Sequence, residues 1–136
     1  MPRIVPCRVW RIYVLGVYAR RVTDVPLREP AFLVLTSLAA EPQHGYAMIE
    51  DVSRISDGHV RLHAGTLYAV LDRLRTAGLI EVEREEIVQS RLRRYYRITA
   101  VGARRLTEEA ERMRRHAKAA DTRLRSLRVS PAGGPS

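Results

Sequence analysis

The side chains able to do chemistry in this sequence are hydrogen-bond donors and cations, not nucleophiles or metal ligands. In residues 63–80, Leu67, Val70, Leu71 and Leu74 recur at helical spacing, and Thr66, Tyr68, Ala69, Asp72, Arg73 and Thr76 fall on the opposite side. A helix there presents a hydroxyl, a phenol and a guanidinium outward. A second group, Arg91, Arg93, Arg94 and Arg97, follows further along, and His44 and Tyr46 flank Gly45 at another expected helix start. Free backbone N–H groups and the helix dipole favour an anion at such a start. Donors of these kinds bind phosphate oxygens and base edges, and Arg does so in bidentate geometry. Catalysis has no comparable support. His44, His59, His63 and His116 lack metal-ligand spacing, and Cys7 is the only cysteine, which excludes an internal disulfide and a cysteine-based zinc site. There is no Gly-rich phosphate loop, no HExxH and no G-x-S-x-G. We therefore expect no enzyme, no cofactor and no metal.

The totals agree with a polyanionic partner. A chain of 136 residues is one domain with tails, 46% of it is apolar, and the formal charge is +9. Lys118 is the only lysine, so the charge is almost all arginine. Residues 1–29 carry six arginines against Asp24 and Glu29. Their apolar run at 12–19 is too short to span a bilayer, and the flanking arginines do not fit a secretory signal. This extension is expected to be poorly ordered, or to precede a true start at Val22, whose codon as GTG would be read as Met. A basic arm that touches DNA is the alternative.

The elements that position the donors follow from periodicity. Residues 31–40 are apolar nearly all round, broken only by Thr36 and Ser37, and Pro30 suits the first turn of such a buried helix. Glu41-Pro42 ends it. A second helix begins near His44-Gly45-Tyr46, buries Met48, Ile49, Val52 and Ile55, and closes at Asp57-Gly58. Residues 59–62 are a link or a minor strand. The third helix lies within residues 63–80 and ends at Gly78, the usual site of a left-handed cap. Residues 79–84 and 92–98 alternate as two strands of a hairpin, with Tyr96 sharing a packed face with Leu92 and Ile98. The tip, residues 85–91, has no Gly, Asn or Pro to fix a tight turn and is expected to be mobile. Three helices and a hairpin make a mainly α, α+β fold: a winged helix-turn-helix.

The resemblance is specific. His44-Gly45-Tyr46, Gly65-Thr66-Leu67-Tyr68, Leu71, Arg73-Leu74, Gly78-Leu79-Ile80 and Arg94-Tyr95-Tyr96-Arg97-Ile98-Thr99 with Gly102 resemble, in order and spacing, the PadR family of bacterial transcriptional regulators over residues 30–102. The chain departs from the family at His63-Ala64, where a Ser and a small residue or Pro are common. His caps a helix poorly, so Thr66 takes the cap or the start shifts. The family's wing glycines are also absent. The resemblance implies a cytoplasmic, nucleoid-associated dimeric repressor that binds a near-palindromic operator near its own gene. It also implies a small-molecule inducer, aromatic or cationic, between the dimer halves. Trp10, the only tryptophan, lies outside the core and cannot serve there; Met113 and Phe32 could line a small apolar gap, although core packing explains both.

Double-stranded DNA is thus the expected partner, contacted by His44, Tyr46, Thr66, Tyr68, Arg73, Arg91, Arg93 and Arg94. Leu106, Ala110, Met113, Ala117, Ala120, Leu124 and Leu127 are spaced 4, 3, 4, 3, 4, 3, an a/d seam expected to pair with a second copy. The alternative is that this stripe folds back on its own core. The expected division is an extension (1–29), a DNA-binding domain (30–99), a dimerisation helix (100–128) and a disordered tail (129–136). No membrane association is expected. The rival function is a protein–protein module that uses the same wing and heptad helix without specific DNA binding.

Overall fold

The computed structural model describes residues 27–129. The expectations for residues 1–26 and 130–136 lie outside them. Helix α1 (Glu29–Ala40) begins with Pro in its first turn and buries Leu33, Val34, Leu35, Ser37 and Leu38. Strand β1 (Gln43–His44) leads into α2 (Gly45–Ile55), and α3 (Ala64–Thr76) follows a short link. Strands β2 (Ile80–Val88) and β3 (Arg91–Ile98) form the wing, and α4 (Ala100–Val129) closes the chain. The sheet is antiparallel in the order β1-β3-β2, with Gln43 opposite Tyr96, His44 opposite Tyr95 and Ile80 opposite Ile98.

The core lies where the leucine faces of α1 and α3 meet Met48 and Val52 of α2 and the inner sheet face, Ile80 and Tyr96. Tyr96 is packed as its alternation predicts, but Leu92, expected on the same packed face, lies out along the wing beyond the core and is 57% exposed. Phe32 joins the edge of this core. Ser37, the polar break in α1, is buried too. Its hydroxyl donates to Asp51 Oδ2 at 2.7 Å, and the Gln43 amide donates to the Ser37 carbonyl and hydroxyl, each at 2.8 Å. The network ties β1 to both α1 and α2. The Ser37 hydroxyl first, then Arg54 and Gln43, holds the Asp51 carboxyl below its ordinary range against burial.

Three further expectations are corrected. Ile55 is 43% exposed and not in the buried stripe of α2, because the stripe closes at Val52 and the last turn of α2 runs past the core. Residues 59–62 form no strand; the third strand is β1, formed when two residues ahead of α2 pair with the free edge of β3. The wing tip is a tight turn, not a loose loop. The strands pair out to Val88 opposite Arg91, and Gln89 and Ser90 turn the chain with φ of 51° and 65°. Strand register leaves two residues for the connection, and a two-residue hairpin turn of this twist needs positive φ at both, whatever their side chains. The left-handed strain is outweighed by the ladder that the turn closes.

Helix α4 has 30 residues and is about 45 Å long. Its first turns lie on the domain, with Leu106 against the core and Arg105 and Glu109 buried, but every residue from Met113 to Arg128 is exposed. Among the described residues, no helix is long and apolar enough to cross a membrane.

Candidate nucleic-acid interface

Helix α3 buries Leu67, Val70, Leu71 and Leu74 and exposes Thr66, Tyr68, Ala69, Asp72, Arg73 and Thr76. Its end is well made. The N–H of Leu79 donates to the Leu74 carbonyl and that of Gly78 to the Arg75 carbonyl, both at 2.9 Å. This double closure requires the left-handed backbone that Gly78 supplies at φ 78°. Its start is bare. His63 occupies the cap position with extended backbone, its side chain caps nothing, and Thr66 does not take over. The first-turn N–H groups of α3 therefore face solvent beside Thr66, as an anion site requires.

Helix α2 has the opposite arrangement. His44 is its cap, with Nδ1 accepting from the Ala47 N–H at 3.4 Å. Accepting at Nδ1 places the proton of the neutral ring on Nε2, which makes Nε2 the donor. The imidazole meets the Tyr95 ring edge-on, with centroids 5.3 Å apart and planes at 88°. Burial first, then the nearby Arg93 charge, holds its pKa below the ordinary value, against the opposing effect of Glu86. The ring is neutral at physiological pH.

The helix-turn-helix contact passes through Gly45. A Cβ there would stand 2.8 Å from the Tyr68 phenol oxygen and 3.3 Å from Leu67, so glycine lets the Tyr68 ring lie against the start of α2. Tyr68 stays 52% exposed and Tyr46 68% exposed. His44, Tyr46, Tyr68 and Arg93 are thereby gathered around the α2 N-terminus. Thr66 and Arg73 share the exposed face of α3 but lie along it, on either side of Tyr68.

The wing arginines divide by sheet face. Arg93 and Tyr95 are on the His44 side, where Arg84 stacks over the Tyr95 ring at 3.7 Å and the Tyr95 hydroxyl donates to Glu86 at 2.8 Å. Arg94 points to the other side by alternation. Its Nε donates to Glu85 at 2.7 Å, and Glu85 and the Tyr96 side chain hold its pKa above the ordinary value. Arg97 is likewise paired with Glu81 at 2.6 Å. Among the described residues, Arg91 and Arg93 make no ion pair. Sequence reasoning missed Arg84, whose ring contact depends on the register, and the glutamates of β2 that neutralise half of the arginine cluster. Their alternation with Ile80 and Val82 was the available signal.

Comparison with known proteins agrees with this architecture. The transcriptional regulator PadR-like family matches residues 34–108. The transcriptional regulator Rv3488 of Mycobacterium tuberculosis is 38% identical over 76 residues, which are 56% of this chain and 67% of that protein. A PadR family transcriptional regulator from Eggerthella lenta superposes with a TM-score of 0.59 at 27% identity, covering 87% of this chain and 96% of that one. Bacillus subtilis PadR, solved in complex with operator DNA, shares the fold with a TM-score of 0.54 at 20% identity over 60% of this chain and 47% of that one. The family match begins within α1 and covers α2, α3, the wing and the root of α4. The order of elements that surrounds Gly45, Tyr68 and the paired strands is the one its members share. This chain belongs to the PadR-like family and is a transcriptional regulator, not an enzyme.

Proposed function

We propose that the protein is a dimeric repressor that binds a near-palindromic operator in the cytoplasm, inserting α3 in the major groove and laying the wing along the neighbouring backbone. The observation that carries this reading is the packing of Tyr68 against Gly45. That packing supports the reading by seating Tyr68 beside the start of α2, next to His44 and Tyr46, while Thr66 and Arg73 stay exposed on the same helix. Thr66 and Tyr68 contact bases or adjacent phosphates, and Arg73 meets phosphate further along. From the wing, Arg91 and Arg93 reach the backbone unpaired, whereas Arg94 must leave Glu85 to do so.

The dimer forms through the exposed part of α4. Met113, Leu124 and Leu127 stand 40–64% exposed on a stretch of α4, residues 113–128, that is exposed throughout among the described residues, and Ala117 and Ala120 between them allow close approach. Leu106 and Ala110 begin the same seam but are partly covered by the domain. Of the two residues suited to an effector gap, Phe32 belongs to the core edge and only Met113 opens onto the seam. A two-fold dimer places two α3 helices on one face of the duplex, roughly 34 Å apart.

The test is a salt titration of binding to the protein's own promoter fragment. Each phosphate contact contributes about −0.9 to the slope of log K against log salt. A steep negative slope with retention of the promoter over unrelated duplex supports the reading. No retardation even at low salt refutes it and favours the protein-interaction module.

A further inference from the structure

The hairpin register sets each wing arginine against a residue of β2. Arg97 stands opposite Glu81 and Arg94 opposite Glu85, and both form the ion pair that this placement offers, at 2.6 and 2.7 Å. Arg91 stands opposite Val88, which offers none. Arg93 is the exception. It stands opposite Glu86, yet among the described residues no ion pair joins the two. The Glu86 carboxylate accepts instead from the Tyr95 hydroxyl, at 2.8 Å.

Tyr95 reaches Glu86 diagonally. The bulge between Val82 and Arg84 puts Arg84 opposite Tyr95, and Glu86 follows two residues on, on the same face. Diagonal neighbours have Cβ atoms about 7–8 Å apart and directly opposite ones about 4.5–5.5 Å, so Glu86 lies within reach of both Tyr95 and Arg93. The choice between them follows from what each partner gives up. An exposed ion pair must immobilise two long side chains and gains little. The Tyr95 ring is already immobilised, with the Arg84 guanidinium carbon 3.7 Å from its centroid and the His44 imidazole edge-on at 5.3 Å between centroids. Its hydroxyl therefore offers the carboxylate a charge-assisted hydrogen bond with little further loss of freedom. Arg93 keeps its guanidinium out of any ion pair on the His44 side of the sheet, whereas Arg94 and Arg97 stay tied to glutamates.

We propose that Tyr95 is a positioning residue of the DNA interface: its hydroxyl holds Glu86 away from Arg93 and so keeps the Arg93 guanidinium ready for a phosphate. This rests on the DNA-binding reading above. Tyr95 acts through Glu86 and touches no DNA itself.

The experiment is a double-mutant cycle read by salt titration of binding to the protein's own promoter fragment, with full-length wild type, Arg93→Ala, Tyr95→Phe, Glu86→Gln and the Tyr95→Phe/Glu86→Gln double variant. Arg93→Ala reduces the slope by about 0.9. Tyr95→Phe turns Glu86 onto Arg93 and weakens binding about twofold to fivefold, the fold-change that corresponds to an exposed ion pair that must be broken. The same substitution leaves binding unchanged where Glu86 is already Gln, because no carboxylate remains to be held. A lost ring contact or a loosened wing would not depend on Glu86 in this way. Tyr95→Phe that binds like wild type overturns the proposal. A loss that persists beside Glu86→Gln overturns it too, by putting the hydroxyl on the DNA. If Tyr95→Phe does not fold, Glu86→Asp decides: its shorter side chain misses the diagonal hydroxyl but still meets the opposite guanidinium, so it weakens binding, and wild-type binding by it overturns the proposal. Failure of the underlying reading shows separately, as a wild type that retards no promoter fragment or an Arg93→Ala that keeps the full slope, and either removes this inference before Tyr95 is compared.

Discussion

Two helical glycines should respond to the same substitution with opposite signs. Gly102 lies in the first turn of α4, and a Cβ there would stand 2.0 Å from the Leu79 carbonyl oxygen and 2.9 Å from Ile98 Cγ1. Ordinary carbon–oxygen contact lies near 3.3 Å, so Gly102→Ala must push α4 off Leu79 by more than about 1 Å. The obstacle is backbone and cannot turn aside. The shift stretches the Thr99–Leu79 and Thr99–Gly78 hydrogen bonds, each contributing about 1 kcal/mol, and adds overpacking of about 1–3 kcal/mol. The helix propensity of Ala returns about 1 kcal/mol. The net is a loss of about 2–4 kcal/mol, or roughly 10–20 °C in Tm for a domain of this size. At Gly65 in α3 a Cβ meets nothing within 4 Å, so Gly65→Ala should raise stability by up to about 1 kcal/mol. Both are read by circular dichroism melts at one fixed protein concentration, because a dimer's Tm depends on it. A Gly102→Ala protein that melts at or above wild type would refute the close seating of α4 on the end of α3.

The remaining predictions concern the interface and its supports. Tyr68→Ala should weaken binding to the selected operator by about 1–3 kcal/mol and leave non-specific duplex almost unchanged, as measured by gel retardation on both. Arg93→Ala should flatten the salt slope of binding more than Arg94→Ala does, because Arg94 is already held by Glu85; the reverse order would displace the wing assignment. The His44 pKa is lowered in the fold, so the unfolded chain takes the proton first as pH falls. The stability from its neutral cap is full above the ordinary histidine value and lost as pH drops through the lower folded value, and His44→Asn, which caps without titrating, should remove that slope from urea midpoints across this window. Gln89→Asn with Ser90→Gly should raise Tm by the equivalent of about 1 kcal/mol, since both positions already have positive φ; a fall in Tm would mean that the tip is not this turn. Leu124→Glu with Leu127→Glu should convert a sedimenting dimer to folded monomer.

Periodic features were legible from the chain alone. The leucines of α3, the glycine that ends it, the apolar run of α1 and the long stripe of α4 each repeat locally, and local repetition is what a helix preserves. Features made by pairing across distance were not legible. β1 is two residues long and is a strand only because β3 offers an edge. The turn at Gln89-Ser90 is dictated by strand register and has none of the residues that usually announce it. Glu81, Glu85 and Glu86 meet Arg97, Arg94 and Tyr95 only once the hairpin is aligned, so the wing looked more basic than it is. The sequence around His44 suggests an anion ligand, but the nearer role of its side chain is to cap α2, which also assigns its tautomer. Ser37 and Glu109 look like ordinary polar residues in the sequence, yet both are buried, Ser37 bonded to Asp51 across two helices and Glu109 held by Arg105 and Arg112.

The central claim is that two copies of α3, held apart by α4, read one operator. Fragments of the source genome retained by the full-length protein, followed by footprinting of the strongest, test it most directly. The account predicts enrichment near the protein's own gene and two symmetric protected half-sites on one face of the duplex, about one helical turn, roughly 34 Å, apart. Retention of fragments without a shared sequence, or protection of one unpaired site, would contradict it.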